Sequence, residues 1–134
     1  MKRLSVSVDD GYPADIRVAE ILGKKGIPAT FYVPIKNADG LPVINRSQIS
    51  SLAKSFEIGA HTYSHLDLTK MPIRRAEREI VGGKRALEDI VGKKISAFSP
   101  PKGKYTAPII GLARRAGFTS FRCARILNFK KPDF

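Results

Sequence analysis

Short apolar runs alternate with helical patterns along this chain, and that alternation limits its fold more than any single motif does. "LSVSV" (4–8) puts Leu4, Val6 and Val8 on one face with serines between, the period of a half-buried strand. After "DDGYP", Ala14, Val18, Ile21 and Leu22 recur at helical spacing, with Pro13 suited to the first turn and Gly26 to the stop. "ATFYV" (29–33) reads as a second strand, and Asn45 as the cap of a short helix through Ile49, Leu52 and Ala53. "FEIGA" (56–60) is the third strand. The longest helix is predicted from Pro72 to Val91, apolar at Ile73, Ala76, Ile80, Leu87 and Ile90 and ended by Gly92. Its Gly82 and Gly83 each cost about 1 kcal/mol relative to alanine, which points to close packing there. "ISAFS" (95–99), a helix from about Thr106 to Ala116, and "FTSFRCA" (118–124) complete the pattern.

Strand and helix alternating over short connections predict a parallel sheet with right-handed crossovers, an α/β domain of about five strands. With 43% apolar residues in 134, the chain (1–134) reads as a single domain with its own core. No apolar run approaches the roughly 18 residues of a membrane span, and "MKRLSVSVDDGYP" lacks the apolar stretch of a signal peptide. One cysteine, Cys123, cannot form an internal disulfide. The expectation is a cytoplasmic protein without a membrane partner.

Parallel α/β folds bind ligands at the carboxyl ends of their strands, where the βα loops gather. Asp9 and Asp10 follow the first strand, His61 and His65 the third, and "PPKGKY" the fourth, so all three polar clusters fall on one rim. His61 and His65 are the only histidines, four residues apart. If the chain after His61 turns helically, both rings face one ion, and Asp10 is the natural third ligand, with positions left for water or substrate. Asp9, leaving the strand in another direction, suits a general base acting on water that the ion acidifies, chemistry fitted to amide or ester hydrolysis. Taken singly, Asp-Asp-Gly is an ordinary turn, HxxxH an ordinary histidine pair and "SPPKGKY" an ordinary loop; it is their joint placement that points to a site.

Charge gives a competing reading. Lys and Arg number 24 against 12 Asp and Glu, and residues 93–134 hold ten basic residues and one acid. That surface could attract nucleic acid or another polyanion, but no helix-turn-helix, zinc-finger or RNP signature accompanies it, so nucleic acid is the weaker partner.

In order and separation, "VSVDDGYP", "HTYSH" and "FSPPKGKY" resemble the polysaccharide deacetylases, the NodB-homology fold of carbohydrate esterase family 4, over about residues 3–125. The resemblance implies a partial (β/α) barrel and removal of acetyl groups from an N-acetylated sugar or related amide. It implies Asp9 as catalytic base, Asp10, His61 and His65 as ligands of a divalent ion, zinc first and cobalt or nickel next. The backbone around Lys102 would help hold the oxyanion, and Pro101, Lys102 and Tyr105 would contact substrate. Many members carry an arginine where Ser99 stands; a subset places one after the fifth strand, which makes Arg125 the candidate to orient Asp9 and Arg122 the fallback. The family's late histidine, a general acid, has no counterpart among two histidines. A catalytically degenerate member serving as a glycan-binding or partner subunit is therefore the alternative. Family members run to about seven strands, so a five-stranded chain leaves an open edge, and a homo-oligomer is expected to cover it.

Overall fold

The computed structural model describes residues 5–124. Its elements follow one another as β1 (Val6–Asp9), α1 (Ala14–Lys24), β2 (Ala29–Val33), α2 (Arg46–Leu52), β3 (Glu57–Ala60), α3 (Ile73–Val91), β4 (Ala97–Phe98), α4 (Ala107–Arg115) and β5 (Ser120–Phe121). All four strand pairings are parallel, in the order β1-β2-β3-β4-β5. Right-handed crossovers in a sheet whose spatial order never reverses keep every helix on one face. This is the arrangement of a barrel wall rather than of a doubly wound sheet, and five strands make a partial (β/α) barrel. Among the described residues, β1 and β5 are its two edges.

The apolar patterning explains the packing. β2, an interior strand, is hydrophobic, with Phe31, Tyr32 and Val33 all buried. On α3 the stripe Ala76, Ile80, Gly83 and Leu87 is buried, the i, i+4, i+7, i+11 face of a helix laid against a sheet. Ile73, expected on that stripe, is the first residue of α3 and is 49% exposed. α2 is held at its start by a reciprocal capping box. The Asn45 side-chain Oδ1 accepts from Gln48 N at 2.9 Å, and the Gln48 side-chain Oε1 accepts from Asn45 N at 2.8 Å.

Two strands are shorter than the patterning predicts. The amide of Ile95 donates to the Glu88 carboxylate at 3.0 Å instead of to a neighbouring strand, so β4 starts only at Ala97. Pairing then continues as single bonds, Ser99 N to Ala60 O, Thr119 N to Ser96 O and Arg122 N to Phe98 O, which carry both chains to the rim without a full ladder. At the other end of the order, β1 runs one residue further than expected and delivers Asp9 as its last member, while Leu4 lies outside the described residues.

Candidate metal centre and catalytic pocket

Three rim loops converge, and each uses backbone that ordinary residues avoid. The four non-glycine residues with positive φ among the described residues are Asp10 (79°), Thr62 (69°), His65 (56°) and Lys102 (59°), and all lie in these loops. Such conformations cost on the order of 1–3 kcal/mol each and persist where surrounding structure over-determines them. The HTYSH segment corrects the helical expectation: it is a loop, because Thr62 and His65 both adopt left-handed backbone. His65 N donates to the Thr62 hydroxyl at 3.0 Å and closes the turn, which brings the ring centroids of His61 and His65 to 5.0 Å.

From the other side of the rim, α3 clamps the same loop. Tyr63 N donates to the Glu79 carbonyl at 3.0 Å and Ser64 N to the Glu79 carboxylate at 2.7 Å. Gly83 meets Thr62 so closely that a Cβ there would lie 2.6 Å from its carbonyl carbon, which accounts for this glycine inside a helix. The loop after β2 leans on it too, through Ile35 and Lys36 amides bonded to Tyr63 O and the Ala38 amide bonded to Ser64 O. Gly11 holds the first rim loop in place; with φ 64°, its carbonyl accepts from Ile44 N and it has no room for a side chain beside Val33.

Asp10, His61 and His65 meet. Asp10 Oδ1 lies 3.0 Å from His61 Nε2 and 2.9 Å from His65 Nε2, and one ligand atom from each residue falls within 4.8 Å of the others. With both rings protonated and donating, contact with His61 foremost, opposed by burial and aided by His65, holds the Asp10 carboxyl down at about 2. His61 Nδ1 lies 2.7 Å from the Ser99 carbonyl, which can only accept. That nitrogen therefore carries the ring proton, and a neutral His61 turns a bare lone pair on Nε2 toward a carboxylate oxygen. A second proton on His61 or a cation held by the cluster satisfies that pair of atoms. The donor set, one carboxylate and two imidazoles with open positions, fits a divalent ion such as zinc.

Asp9 points away from that cluster. Its Oδ2 accepts from Arg122 Nη1 at 2.5 Å, and its buried Oδ1 has no hydrogen-bond partner among the described residues. One oxygen is thus anchored and the other is available for a proton. Arg122 also reaches the Ser99 hydroxyl at 3.5 Å and lies 5.8 Å over the Tyr32 ring. The residue on Asp9 is therefore the fallback candidate; Arg125 lies outside the described residues.

These groups line a cavity of about 210 Å³ together with Pro100, Lys102 and Gly103. A larger groove of about 520 Å³, bordered by Thr69, Lys104 and Tyr105, shares Gly103 and Ala124 with it. Of the expected substrate contacts, Lys102 lines the cavity and Tyr105 the adjoining groove, while Pro101 is buried and Pro100 stands at the cavity wall. Lys104 ties this loop to the histidine loop through Asp67, 3.3 Å away, whose other oxygen caps the turn at Leu68–Lys70.

Sequence reasoning missed Asn37, Asp15 and Glu79. Asn37 Nδ2 lies 3.3 Å from His65 Nδ1. Asp15 is a buried carboxyl at the start of α1, pushed up to about 6 by burial first and by the charge of Asp10 second. An N-terminal Asp is an ordinary helix signal, and Asn37 sits in a loop without periodicity; neither marks itself in one dimension.

A partial (β/α) barrel carrying an Asp-Asp pair, one carboxylate of it anchored by an arginine, and two histidines on its carboxyl rim defines a carbohydrate-esterase type of scaffold. Comparison with known proteins agrees: the polysaccharide deacetylase family profile matches residues 1–121, and the chain belongs to that family. It is 27% identical over 116 residues to the peptidoglycan-N-acetylglucosamine deacetylase PgdA of Listeria monocytogenes, covering 83% of this chain and 24% of PgdA. IcaB from Ammonifex degensii superposes with TM-score 0.78 at 26% identity, covering 90% of this chain and 59% of IcaB. BA3943 of Bacillus anthracis, described as a CE4 family pseudoenzyme, shares the fold with TM-score 0.77 at 18% identity, over 90% of this chain and 43% of that one. The chain spans less than a third of the length of the curated relatives it matches.

Proposed function

We propose that this chain is a metal-dependent deacetylase that hydrolyses the acetamido group of an N-acetylated sugar or related small amide. The observation that carries the reading is the division of labour between adjacent carboxylates: Asp10 joins His61 and His65, while Asp9 keeps one oxygen on Arg122 and the other without a partner among the described residues. Asp10, His61 and His65 would hold the ion, which when bound acidifies water and polarises the acetyl carbonyl. Asp9 Oδ1 takes the proton as water adds to the carbonyl carbon. The turn at Lys102 supports the oxyanion. Asp9, now protonated, returns that proton to the nitrogen as the C–N bond breaks, leaving acetate and a free amine. This route supplies the leaving-group proton without a third histidine. Arg122 keeps Asp9 aligned throughout. The cavity takes the acetamido group, and the groove beside Tyr105 takes the neighbouring part of the substrate.

The test is acetate release from N-acetylglucosamine oligomers by zinc-loaded protein, with a metal assay on the same sample. We expect one ion per chain, lost in His61→Ala, and a fall in rate of about 10²–10⁴-fold in Asp9→Asn. Absence of a stoichiometric ion would refute the reading.

A second reading, a degenerate member that binds glycan or serves as a partner subunit, is favoured by the lack of a third histidine. Acetate release that disappears in Asp9→Asn would eliminate it. The two edge strands support self-association, since unpaired edge backbone invites a partner. The lone Cys123 supports a reducing, cytoplasmic setting, which recovery of the protein from the culture medium of its source cells would overturn.

A further inference from the structure

We propose that Asn37 is a positioning residue for His65: its amide holds that ring in the tautomer that cannot ligate, so taking up an ion requires the amide to turn over. The inference rests on the reading of Asp10, His61 and His65 as an ion site.

Asn37 is buried, and its two ends are occupied differently. Its Oδ1 accepts from the Asp39 amide at 2.9 Å, a local turn that fixes which end faces which way. Reversing the side chain would set its NH2 against the Asp39 N–H, donor against donor. The NH2 therefore faces His65 Nδ1, 3.3 Å away, and an amide NH2 can only donate. His65 Nδ1 must accept. A neutral imidazole has one N–H, so the proton of His65 is on Nε2, from which it donates to Asp10 Oδ1 at 2.9 Å.

His61 is set the opposite way. Its Nδ1 faces the Ser99 carbonyl at 2.7 Å, an obligate acceptor, so its Nε2 is bare. Of two rings presented to the same carboxylate oxygen, one is ready to ligate through Nε2 and the other is not. For His65 to ligate, its proton must move to Nδ1, where it would meet the Asn37 NH2. Relief comes when the amide rotates, offers Oδ1 to the ring and gives up the Asp39 amide. Ion capture is thereby coupled to the turn at residues 37–39, and Asn37 weakens affinity compared with a residue that accepts on both sides.

Two substitutions separate this from ordinary support of the ring. In Asn37→Asp one carboxylate oxygen can keep the Asp39 amide while the other accepts from Nδ1–H. We expect zinc affinity, measured by calorimetric titration of the full chain, to rise about tenfold. In Asn37→Ala the opposing donor is gone, and affinity is expected to equal or exceed that of the wild type. Thermal unfolding of each variant checks that it is folded. Weaker zinc binding by folded Asn37→Ala, by about tenfold or more, would overturn the inference, because an amide that supports the ligating tautomer behaves that way. So would an Asn37→Asp affinity within about twofold of the wild type.

A second measurement needs no variant. Ring ¹⁵N chemical shifts of the zinc-free protein, at a pH where both rings are neutral, are expected to show His61 protonated on Nδ1 and His65 on Nε2. Finding His65 protonated on Nδ1 would overturn the inference while leaving the ion site intact. If the wild type takes up no zinc at all, the reading of the site falls and this inference with it.

Discussion

Gly82 and Gly83 stand side by side in α3, yet alanine at the two positions is expected to act in opposite directions. At Gly83 a Cβ would lie 2.6 Å from the Thr62 carbonyl carbon, 2.8 Å from its oxygen and 2.9 Å from Tyr63 N, all backbone atoms of the histidine loop. Ordinary contact begins at 3.4 Å, so loop and helix must separate by roughly 0.8 Å (3.4 − 2.6). The bonds from Tyr63 N and Ser64 N to Glu79 resist that separation. Alanine gains about 1 kcal/mol of helix propensity, and overpacking against backbone costs about 1–3 kcal/mol. The net is a loss on the order of 1 kcal/mol, about 4 °C in Tm for a chain of this size. The site suffers more than the fold, because metal–ligand distances tolerate only about 0.2 Å; zinc affinity is expected to fall at least about tenfold. At Gly82 the new Cβ meets only Tyr63 Cδ2 at 3.7 Å, an ordinary contact. Gly82→Ala is expected to raise stability by up to about 1 kcal/mol and leave zinc binding unchanged. Thermal unfolding and zinc titration of both variants check this. If Gly83→Ala melts no lower than Gly82→Ala and binds zinc as tightly as the wild type, the clamp of α3 on the histidine loop does not exist.

Arg122→Met removes the anchor of Asp9 without touching Asp10, His61 or His65. We expect kcat to fall by up to about 100-fold with KM little changed, and a pure KM effect in steady-state kinetics would contradict the positioning role. Asp15 is held above the usual carboxylate range, at about 6, so the folded state binds its proton more tightly than the unfolded chain. Its contribution is most favourable below about pH 4 and is lost as pH rises through about 6, a difference on the order of 1–3 kcal/mol. Asp15→Asn should therefore stabilise the protein at pH 8 and do little at pH 4; equal urea midpoint shifts at both pH values would refute the assignment. Light scattering across micromolar concentrations is expected to show a homodimer, and a stable monomer would remove the case for edge pairing.

Much of the frame was legible along the chain because periodicity is local. β2 was expected at 29–33 and is found there; α1, α2 and α3 fall within a residue or two of the patterning, and the Asn45 cap was visible from its residue type. Parallel topology followed from strand and helix alternating over short connections, and it placed Asp9, Asp10, His61, His65 and Lys102 on one rim before any distance was known. The truncation of β4 was not legible, since it depends on a side chain seven residues upstream capturing the Ile95 amide.

Residue types and spacing by themselves determined the α/β wall, its rim and the kinds of groups gathered there, because side-chain period and chain connectivity are properties of neighbours in sequence. Tertiary structure alone decided how those groups are used. It folded HTYSH as a left-handed loop rather than a helix, chose Arg122 for Asp9, and set Asn37 against His65 and Gly83 against Thr62. The last three of those outcomes depend on atoms brought together from 21 to 113 positions apart in the chain, where directions and distances, not residue preferences, determine which contact forms.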